Sequence, residues 1–377
     1  MCGNLAKHAA KVLVIGGGIG GSATAIRMAE HGVKVELVDI AQDWGVAGTG
    51  VTLSVLTARA LCDLGFAQLL IENGHLHDKL EMFTPDGTKF NEVTGKRHFA
   101  PDVPREGGVM RPQLHRMMAA RMAALGVSVR TGLTATSLAQ DGGGVDAVFS
   151  DGTTGRYDLA IGADGLFSSV RGMIMPDAPK PRYTGQVCWR AQFALPEGWE
   201  NGRMYFGPLK IGFTPCAPDA MYLFVLENVT EKPRYESDEL LPRLRDMLTP
   251  YPALDGLREG MDESTPILAR PLETILLEDP WYVGRVILIG DAAHATTPHL
   301  ASGAGMAVED AIVLVDELDR AGDYDSAMRA FMARRLPRGK MVVGNSLKLG
   351  EMEQRGAPPS EIGPLMMQSL AAIEQPY

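Results

Sequence analysis

Three acidic residues follow apolar segments, in positions where they could contact a bound ligand. Asp39 closes one apolar segment, Asp164 follows another, and Asp291 comes directly after the run "VILIG". Each apolar run predicts a buried strand. In an open α/β sheet, ligands bind at the carboxyl ends of the strands, where a carboxylate can accept hydrogen bonds from ligand hydroxyls. An ordinary turn or helix cap is the alternative for each acid taken alone.

A glycine-rich turn precedes Asp39. Residues 16–21, "GGGIGG", satisfy the spacing G-x-G-x-x-G, follow the apolar run "KVLVI" and open a helical segment. Glycines at these positions allow a tight turn and a close approach of the backbone to a pyrophosphate, and the helix N-terminus favours phosphate. The turn predicts a dinucleotide cofactor without distinguishing FAD from NAD, and a tight turn without ligand is the alternative. The candidate cofactor-binding residues are Gly16, Gly18, Ile19, Gly20 and Gly21, with Asp39 as ribose acceptor.

The pattern of predicted elements changes along the chain and then returns. A strand–helix–strand unit opens it, short alternating strands dominate from about 176 to 270, and a buried strand and a long helix return from 283. We therefore predict an α/β (α+β) fold in which a Rossmann-like cofactor-binding domain is interleaved with an antiparallel β-sheet substrate domain and followed by C-terminal helices. The predicted boundaries are 1–75, 100–175 and 271–340 for the cofactor-binding domain, 76–99 and 176–270 for the sheet domain, and 341–377 for the C-terminal helical segment.

The composition argues against several classes of protein. The chain has 377 residues, 45% of them hydrophobic, and a formal net charge of -10, so we expect two lobes with sizeable cores. Because no run of Lys and Arg is present, no nucleic-acid partner is expected. No apolar stretch is long enough for a membrane span or a signal peptide. The four cysteines are scattered without metal or disulfide spacing, which favours the absence of a metal site and a reducing, cytoplasmic location.

Three motifs taken together resemble those of the FAD-dependent aromatic monooxygenases, the single-component flavoprotein hydroxylases related to p-hydroxybenzoate and salicylate hydroxylases. They are "GGGIGG" at 16–21, "GADGLFSSVR" at 162–171 and "GDAAHATTPHLASGAGMAVEDA" at 290–311. The resemblance implies bound FAD, NADH or NADPH as a transient reductant, and O2 as co-substrate. It implies hydroxylation of a small aromatic or N-heteroaromatic phenol or acid through a flavin C4a-hydroperoxide. It also implies a monomer or homodimer.

The same resemblance implies individual contacts to FAD. The Asp-Gly motif would lie near the pyrophosphate and serve NAD(P)H use, and the Gly-Asp motif would contact the ribityl chain and pyrophosphate. An Arg at a helix start would contact phosphate, and the loop 45–54 would lie near the flavin ring. Many relatives read Gly-Gln-Gly or Gly-Ala-Gly where this chain has Ala-Ser-Gly at 301–303, small residues that leave backbone N–H groups for the flavin carbonyls. The implied residues are Gly48, Gly50, Arg111, Asp164, Gly165, Gly290, Asp291, Pro298, Gly303, Ala304 and Gly305.

The substrate side of the site has weaker signals. A base or polar anchor is expected near a phenol-like substrate. The catalytic candidates are His299 in the flavin loop, Arg190 as a clamp for a carboxylate or phenolate, and Tyr205 on the sheet. An exposed loop histidine, a surface charge and a packed sheet residue are the respective alternatives. His294 is expected to be structural, within the strand–helix turn.

Other functions remain open from sequence. A reductase or dehydrogenase of the same fold, without oxygen insertion, is the main alternative. A flavin-dependent halogenase would carry a Trp-x-Trp-x-Ile-Pro motif, which this chain lacks. A flavin-binding protein without activity is disfavoured because all three cofactor motifs are retained.

Overall fold

The chain forms two compact units, each assembled from separate stretches of sequence. The computed structural model describes residues 5–43, 49–95, 97, 102–278 and 280–377, without the side chains of residues 6 and 7. The predicted interleaved α/β architecture is confirmed, because each unit is built from stretches of sequence that are separated by stretches of the other unit. The first unit comprises Met1–Val46, His115–Arg182 and Glu273–Tyr377, and the second comprises Ala47–Leu114 and Tyr183–Leu272.

Helices and short strands are interspersed along the whole chain. The first part of the chain contains α1 (Leu5–His8), β1 (Lys11–Ile15), α2 (Ile19–Glu30), β2 (Lys34–Asp39), β3 (Gly50–Leu53), α3 (Val55–Asp63), α4 (Ala67–Asn73), β4 (His75–His77), β5 (Lys79–Phe83), β6 (Lys89–Thr94), β7 (Glu106–Met110) and α5 (Arg111–Ala124). The middle contains β8 (Ser128–Thr131), β9 (Ala135–Asp141), β10 (Gly144–Phe149), β11 (Thr154–Tyr157), β12 (Leu159–Gly162), α6 (Ser169–Ile174), β13 (Arg182–Ala194), β14 (Gly202–Phe206), β15 (Lys210–Ala217), β16 (Ala220–Asn228), α7 (Ser237–Leu248), a 3-10 turn (Pro252–Leu254) and α8 (Asp255–Gly260). The last part contains β17 (Ile267–Thr274), β18 (Tyr282–Val283), β19 (Val286–Leu288), α9 (Asp291–His294), a 3-10 turn (Pro298–Leu300), α10 (Gly303–Arg320), α11 (Tyr324–Gln354) and α12 (Pro359–Glu374).

A six-stranded sheet lies at the centre of the first unit. Its order is β18-β19-β12-β1-β2-β8, and every neighbouring pair is parallel except β18 with β19. The apolar runs explain this arrangement, because all four residues of β12 and all but the first of β1 are buried, as in parallel strands covered on both faces. The carboxyl ends of β19, β12, β1 and β2 therefore meet at one edge of the sheet.

A seven-stranded sheet dominates the second unit. Its order is β17-β13-β16-β15-β14-β5-β6, and a smaller antiparallel sheet, β3-β7-β4, belongs to the same unit. The sequence predicts an antiparallel sheet, and the pair β5–β14 departs from this by being parallel. The reason is that β5 comes from an earlier stretch of chain, so no tight hairpin fixes its direction beside β14. The predicted hairpin at Asp86-Gly87 joins β5 to β6.

The large sheet carries different side chains on its two faces. Trp189, Val225, Ile211 and Tyr205 lie directly opposite one another on neighbouring strands and therefore share a face. That face forms an apolar core with residues of α7 and the segment that follows it. Alternation along the strands directs Arg190, Tyr222 and Thr214 to the other face.

The C-terminal part of the first unit is a pair of helices. Helix α11 is continuous from Tyr324 to Gln354 and so runs through the predicted boundary at 340/341. Helix α12 follows and packs on α11. Compact units do not identify what each segment binds, so the predicted domain roles stay predictions.

His77 is expected to make the folded state sensitive to acid. Burial of its ring, and then His75, lower the pKa of His77 from 6.5 to about 4, against the opposing effect of Asp78. Because the unfolded chain binds the proton of His77 more tightly than the folded chain does, protonation favours unfolding. The stability contributed by neutral His77 is fully present above pH 6.5 and is lost progressively as the pH falls toward 4. At pH 5 the loss in the free energy of unfolding is about 2 kcal/mol. We expect urea unfolding at pH 7 and pH 5 to show this loss in the wild type and a smaller one in His77→Leu. Equal losses in the two proteins would refute the role of His77.

Candidate functional site

The three sequence motifs lie side by side at the carboxyl edge of the parallel sheet. The N–H of Ala163 donates to the carbonyl of Ile15 at 2.8 Å, and the N–H of Ile289 donates to the carbonyl of Gly162 at 3.0 Å. These bonds continue the β1–β12–β19 ladder into the turns that follow. The structure thus brings together three motifs that are more than a hundred residues apart in sequence.

The glycine turn after β1 leaves space for a ligand where a dinucleotide needs it. Gly16 has φ +103°, and a Cβ there would lie 2.4 Å from the carbonyl oxygen of Ala163. A Cβ on Gly21 would lie 1.8 Å from the carbonyl oxygen of Gly16, whereas a Cβ on Gly18 would meet no atom within 4 Å. Helix α2 begins at Ile19 without a side-chain cap and with no acid in its first turn. Its N-terminal N–H groups are therefore suited to a pyrophosphate.

Asp39 is held in a fixed orientation at the end of β2. Its carboxylate accepts from the N–H of Gly17 at 2.5 Å and from the N–H of Ala41 at 2.7 Å. The first of these bonds ties the acid to the glycine turn on the neighbouring strand. Each oxygen retains a lone pair that can accept from a ribose hydroxyl, so the position fits the adenosine side of a dinucleotide.

Asp164 caps the helix that follows it. Its carboxylate accepts from the hydroxyl and N–H of Ser169, at 3.0 and 2.7 Å, and from the hydroxyl of Ser168 at 2.5 Å. Gly165 adopts φ +80°. The observed partners of Asp164 are thus residues of its own turn, and contact of Asp164 and Gly165 with a cofactor stays a prediction.

Arg171, a buried residue in the same motif, joins the second motif to the third. Its guanidinium donates to the carbonyl of Ala292 at 2.8 Å and to the carbonyl of Leu166 at 2.9 Å. Burial lowers the pKa of Arg171, and the charge of Asp164 partly opposes this. The sequence shows Arg171 only as the last residue of a motif, and its bridging role depends on the neighbouring strands.

Asp291 is the first residue of the short helix α9 and is exposed. Gly290 before it has φ 57°, a left-handed value that favours glycine. A Cβ on Gly290 or on Gly20 would lie 3.0 Å from the Cβ of Ala307 in α10. The absence of both side chains lets α10 approach the glycine turn and the Gly-Asp turn together.

His294 has the structural role that the sequence predicts. Its ring is buried, its Nε2 lies 2.5 Å from Asp310 Oδ2, and it packs against Trp281 with ring centroids 4.8 Å apart. Asp310 also accepts from the N–H of Gly290 at 2.8 Å. The histidine and the glycine of this motif are therefore held by the same carboxylate.

His299 is buried within the loop between α9 and α10. Its Nδ1 lies 2.9 Å from the hydroxyl of Thr297, and its Nε2 lies 3.5 Å from a carboxylate oxygen of Glu353 in α11. These contacts place the ring among residues of the first unit. Exposure as a loop histidine is excluded, and contact with a substrate stays a prediction.

The small residues after Pro298 form the start of α10. Ser302 donates to the carbonyl of Leu300 at 2.6 Å, and α10 begins at Gly303 without a side-chain cap. Gly303 and Ala304 are half-buried and Gly305 is buried. The first turn of α10 has no acidic residue, which fits the predicted contact between its backbone N–H groups and a flavin carbonyl.

Ala301 is expected to be a source of strain in this loop. It has φ 47° and is the non-glycine residue with positive φ in the described chain. A left-handed conformation costs an L-residue about 1–2 kcal/mol. Glycine avoids this cost, but its greater freedom in the unfolded chain cancels part of the gain in stability. We expect Ala301→Gly to raise the Tm of the apoprotein by about 1–3 °C. Ala371→Gly, in an exposed turn of α12, serves as the control and is expected to lower it. A fall of the same size in both variants would contradict the strain.

Arg190 belongs to a polar cluster in the second unit. Its guanidinium lies 5.9 Å from the ring centroid of Tyr222. The hydroxyl of Tyr222 contacts the hydroxyl of Thr52. The hydroxyl of Thr52 also lies 3.3 Å from the hydroxyl of Thr214. Burial raises the pKa of Tyr222, although Arg190 opposes the shift, so the phenol is neutral at physiological pH. Among the residues that the structure describes, no Asp or Glu forms an ion pair with Arg190.

Tyr205 lies on the opposite face of the sheet from Arg190. Its ring stacks on Phe83 with centroids 5.1 Å apart and packs edge-on against Phe213. It is thus part of the apolar core, because residues of odd number on β13 and β14 share that face. Arg190 and Tyr205, which are both catalytic candidates from the sequence, therefore do not border the same space.

The remaining predicted residues belong to the second unit. Gly50 lies in β3, where a Cβ would come within 2.3 Å of the Tyr222 ring. Arg111 is exposed at the start of α5, and its N–H donates to the carbonyl of Thr49 at 3.1 Å. Gly48 lies outside the described residues. Thr214 was missed by sequence reasoning, although the alternation along 210–217 places it on the face of Tyr222.

The side chains of the described ranges do not form a metal centre. Within those ranges, no group of three or more His, Cys, Asp or Glu side chains is arranged to hold a metal ion. No helix in that part of the chain is both long and apolar enough to cross a membrane.

Comparisons with known proteins agree with this geometry. The family described as "FAD binding domain" matches residues 9–346. YetM of Bacillus subtilis (strain 168) is 30% identical over 354 residues, which cover 93% of this chain and 95% of the relative. Salicylate hydroxylase of Pseudomonas putida is 27% identical over 384 residues, covering 91% and 86%.

The fold is also shared with solved structures. HpxO of Klebsiella pneumoniae, crystallised with FAD and uric acid, is similar with a TM-score of 0.82 at 23% identity, over 96% of this chain and 97% of HpxO. The glycine turn, the uncapped start of α2 and the position of Asp39 are suited to a dinucleotide. The chain therefore belongs to the FAD-binding-domain family of FAD-dependent monooxygenases, and its cofactor is FAD.

Proposed function

We propose that this protein uses NADH or NADPH and O2 to hydroxylate a small aromatic or N-heteroaromatic compound that carries an acidic group. The balanced reaction consumes one substrate, one O2, one NAD(P)H and one proton, and yields the hydroxylated product, water and NAD(P)+. Bound FAD supplies the redox chemistry, by accepting hydride and activating O2. The residues of this chain supply binding, orientation and protonation.

The observation that carries the proposal is the setting of Arg190. Arg190 is half-buried, its guanidinium lies beside the neutral phenol of Tyr222, and it forms no ion pair with any described acid. A cation that is partly removed from water without a carboxylate partner is costly unless a ligand supplies the negative charge. A carboxylate or phenolate of the substrate fits this need, and a guanidinium can bind it by two hydrogen bonds.

The relatives support this class of substrate. Salicylate hydroxylase is named for a hydroxylated aromatic acid, and HpxO was solved with uric acid, an N-heteroaromatic compound. We propose in addition that Asp39, Gly16–Gly21 and Gly290–Asp291 bind FAD, and that the hydroxyl groups of Tyr222 and Thr52 orient the substrate. The cysteines within the described ranges, Cys62, Cys188 and Cys216, are free, which is compatible with the cytoplasmic location that we propose.

The proposal is tested by a panel of substrates with purified, FAD-loaded protein. Hydroxylated aromatic and N-heteroaromatic acids are offered with NADH or NADPH, and NAD(P)H oxidation is followed together with the mass of the product. Oxidation stimulated by the substrate and matched by a hydroxylated product is the expected result. Oxidation of NAD(P)H with reduction of an alkene and no oxygenated product would favour the reductase alternative.

Arg190→Met is expected to weaken recognition of the acid. Loss of a charge-assisted contact costs about 1.5–3 kcal/mol, so the KM for an acidic substrate should increase about tenfold to a hundredfold. The flavin spectrum should be unchanged. The matched control is Arg203→Met, because Arg203 stacks on Trp199 and Phe83 on the other face of the sheet. An equal KM for the two variants and the wild type would show that Arg190 does not bind the substrate anion.

A further inference from the structure

A set of buried charges connects the Gly290–Asp291 turn with α11. Arg335 of α11 has no exposed surface. Its Nε lies 2.7 Å from Asp310 Oδ1, and its Nη1 lies 2.9 Å from Glu309 Oε2. Both acids are also fully buried. Such a pair holds one geometry, because breaking it leaves an uncompensated charge in the interior.

The second oxygen of Asp310 fixes the turn itself. It accepts from the N–H of Gly290 at 2.8 Å and contacts His294 Nε2 at 2.5 Å. Burial alone raises the pKa of Asp310, but His294 and Arg335 outweigh it and hold the pKa at about 2. The ionised Oδ2 of Asp310 thus holds both Gly290, which precedes helix α9, and His294, the last residue of α9.

Arg338, one turn further along α11, extends the network to the C-terminal helix. Its Nε and Nη2 bind the two oxygens of Glu309 at 2.7 and 2.8 Å. Its Nη2 also donates to the carbonyl of Ile373 at 2.9 Å. Carbonyls in the last turn of a helix have no partner within the helix, so Arg338 satisfies one at the end of α12. Ile373 is itself buried.

We propose that Arg338 is a positioning residue through which α12 holds the Gly290–Asp291 turn in the conformation that binds FAD. The contacts run from the Ile373 carbonyl through Arg338, Glu309, Arg335 and Asp310 to the N–H of Gly290. This inference rests on the proposed contact between Asp291 and FAD. Without Arg338, Glu309 loses two charge-assisted hydrogen bonds and competes more strongly with Asp310 for Arg335. Asp310 then holds Gly290 less firmly, and FAD affinity falls with the fraction of protein that keeps the binding conformation.

The test compares two arginines of α11 that both reach the C-terminal segment. Arg334 donates to the carbonyl of Tyr377 at 2.7 Å and pairs with Glu317 at 2.6 Å, so it anchors the tail through an acid other than Glu309. The dissociation constant of FAD is measured by flavin fluorescence on apoprotein, well below the unfolding temperature. We expect Arg338→Met to raise the Kd about tenfold, Arg338→Lys to raise it less, and Arg334→Met to leave it unchanged.

A stability control separates positioning from general weakening of the fold. Met328→Ala removes buried apolar volume from α11 without removing charge, so it should lower the Tm and leave the Kd of FAD unchanged. If Arg338→Met does not fold, Arg338→Lys decides, because lysine keeps the charge but cannot reproduce the fork of contacts.

The outcomes distinguish this inference from its premise. If Asp291→Ala loses FAD while both Arg338 variants bind it with the wild-type Kd, the positioning role is overturned and the cofactor assignment stands. If Asp291→Ala binds FAD as the wild type does, the assignment of Asp291 fails and the inference fails with it. An increase in Kd for Met328→Ala equal to that for Arg338→Met would also overturn the specific role of Arg338.

Discussion

Asp291→Ala is expected to be purified with little or no bound flavin. Asp291 lies at the carboxyl edge of the parallel sheet, next to Gly290. We propose, from the family resemblance, that its carboxylate accepts hydrogen bonds from the hydroxyl-rich chain of FAD. Loss of a hydrogen bond to a charged group costs about 1.5–3 kcal/mol, so the Kd of FAD should increase about tenfold to a hundredfold. The ratio of flavin absorbance to protein absorbance after purification measures this directly.

A control is needed because any damage to the fold could release flavin. Asp325→Ala replaces another exposed acid of the first unit, in the first turn of α11, and should retain flavin at the wild-type level. Asp291→Asn keeps one carbonyl acceptor and should be intermediate. Wild-type flavin occupancy in Asp291→Ala would remove this residue from the cofactor site.

Arg335→Met is expected to lower the free energy of unfolding more than the other single substitutions do. Arg335, Glu309 and Asp310 have no exposed surface, and removal of one member of a buried ion pair costs about 3–5 kcal/mol. Methionine fills a similar volume, so the loss reports the uncompensated acids rather than a cavity. We expect a marked decrease in the free energy of unfolding, measured by urea denaturation of the apoprotein.

The origin of that loss can be tested with a second substitution. Asp310→Asn in the Arg335→Met background removes one of the stranded charges, so the double variant should recover part of the lost stability. Arg130→Met breaks half-exposed pairs with Glu36 and Asp151 and should cost far less, because exposed pairs contribute about 0–1 kcal/mol. Equal losses for Arg335→Met and Arg130→Met would contradict the account of the buried network.

The edge of the parallel sheet that we propose binds the cofactor was predictable from sequence for a physical reason. Buried parallel strands are apolar runs, and the turns after them need glycine, so local sequence marks the edge where Gly16, Asp164 and Asp291 meet. Neighbouring strands then bring the motifs together without further information. The same local signals predicted α2 and the β5–β6 hairpin.

The sheet face that we propose binds the substrate was less predictable, because it depends on which strands pair. The sequence of β13 shows that Arg190 and Trp189 face opposite ways, but only the register with β16, β15 and β14 shows that Tyr205 shares the face of Trp189. The parallel pairing of β5 with β14 likewise depends on a distant stretch of chain. Arg335 and Asp310 are 25 residues apart on different helices, and no local pattern pairs them.

We propose that this FAD-containing protein transfers an atom of O2 to an acidic aromatic substrate. The most direct measurement is turnover of the purified enzyme with NAD(P)H under isotopically labelled O2, with mass analysis of the product. We expect one labelled oxygen atom in each molecule of product, formed in step with NAD(P)H oxidation. A product without label, or NAD(P)H oxidation that yields no oxygenated product with any acid of the panel, would contradict it.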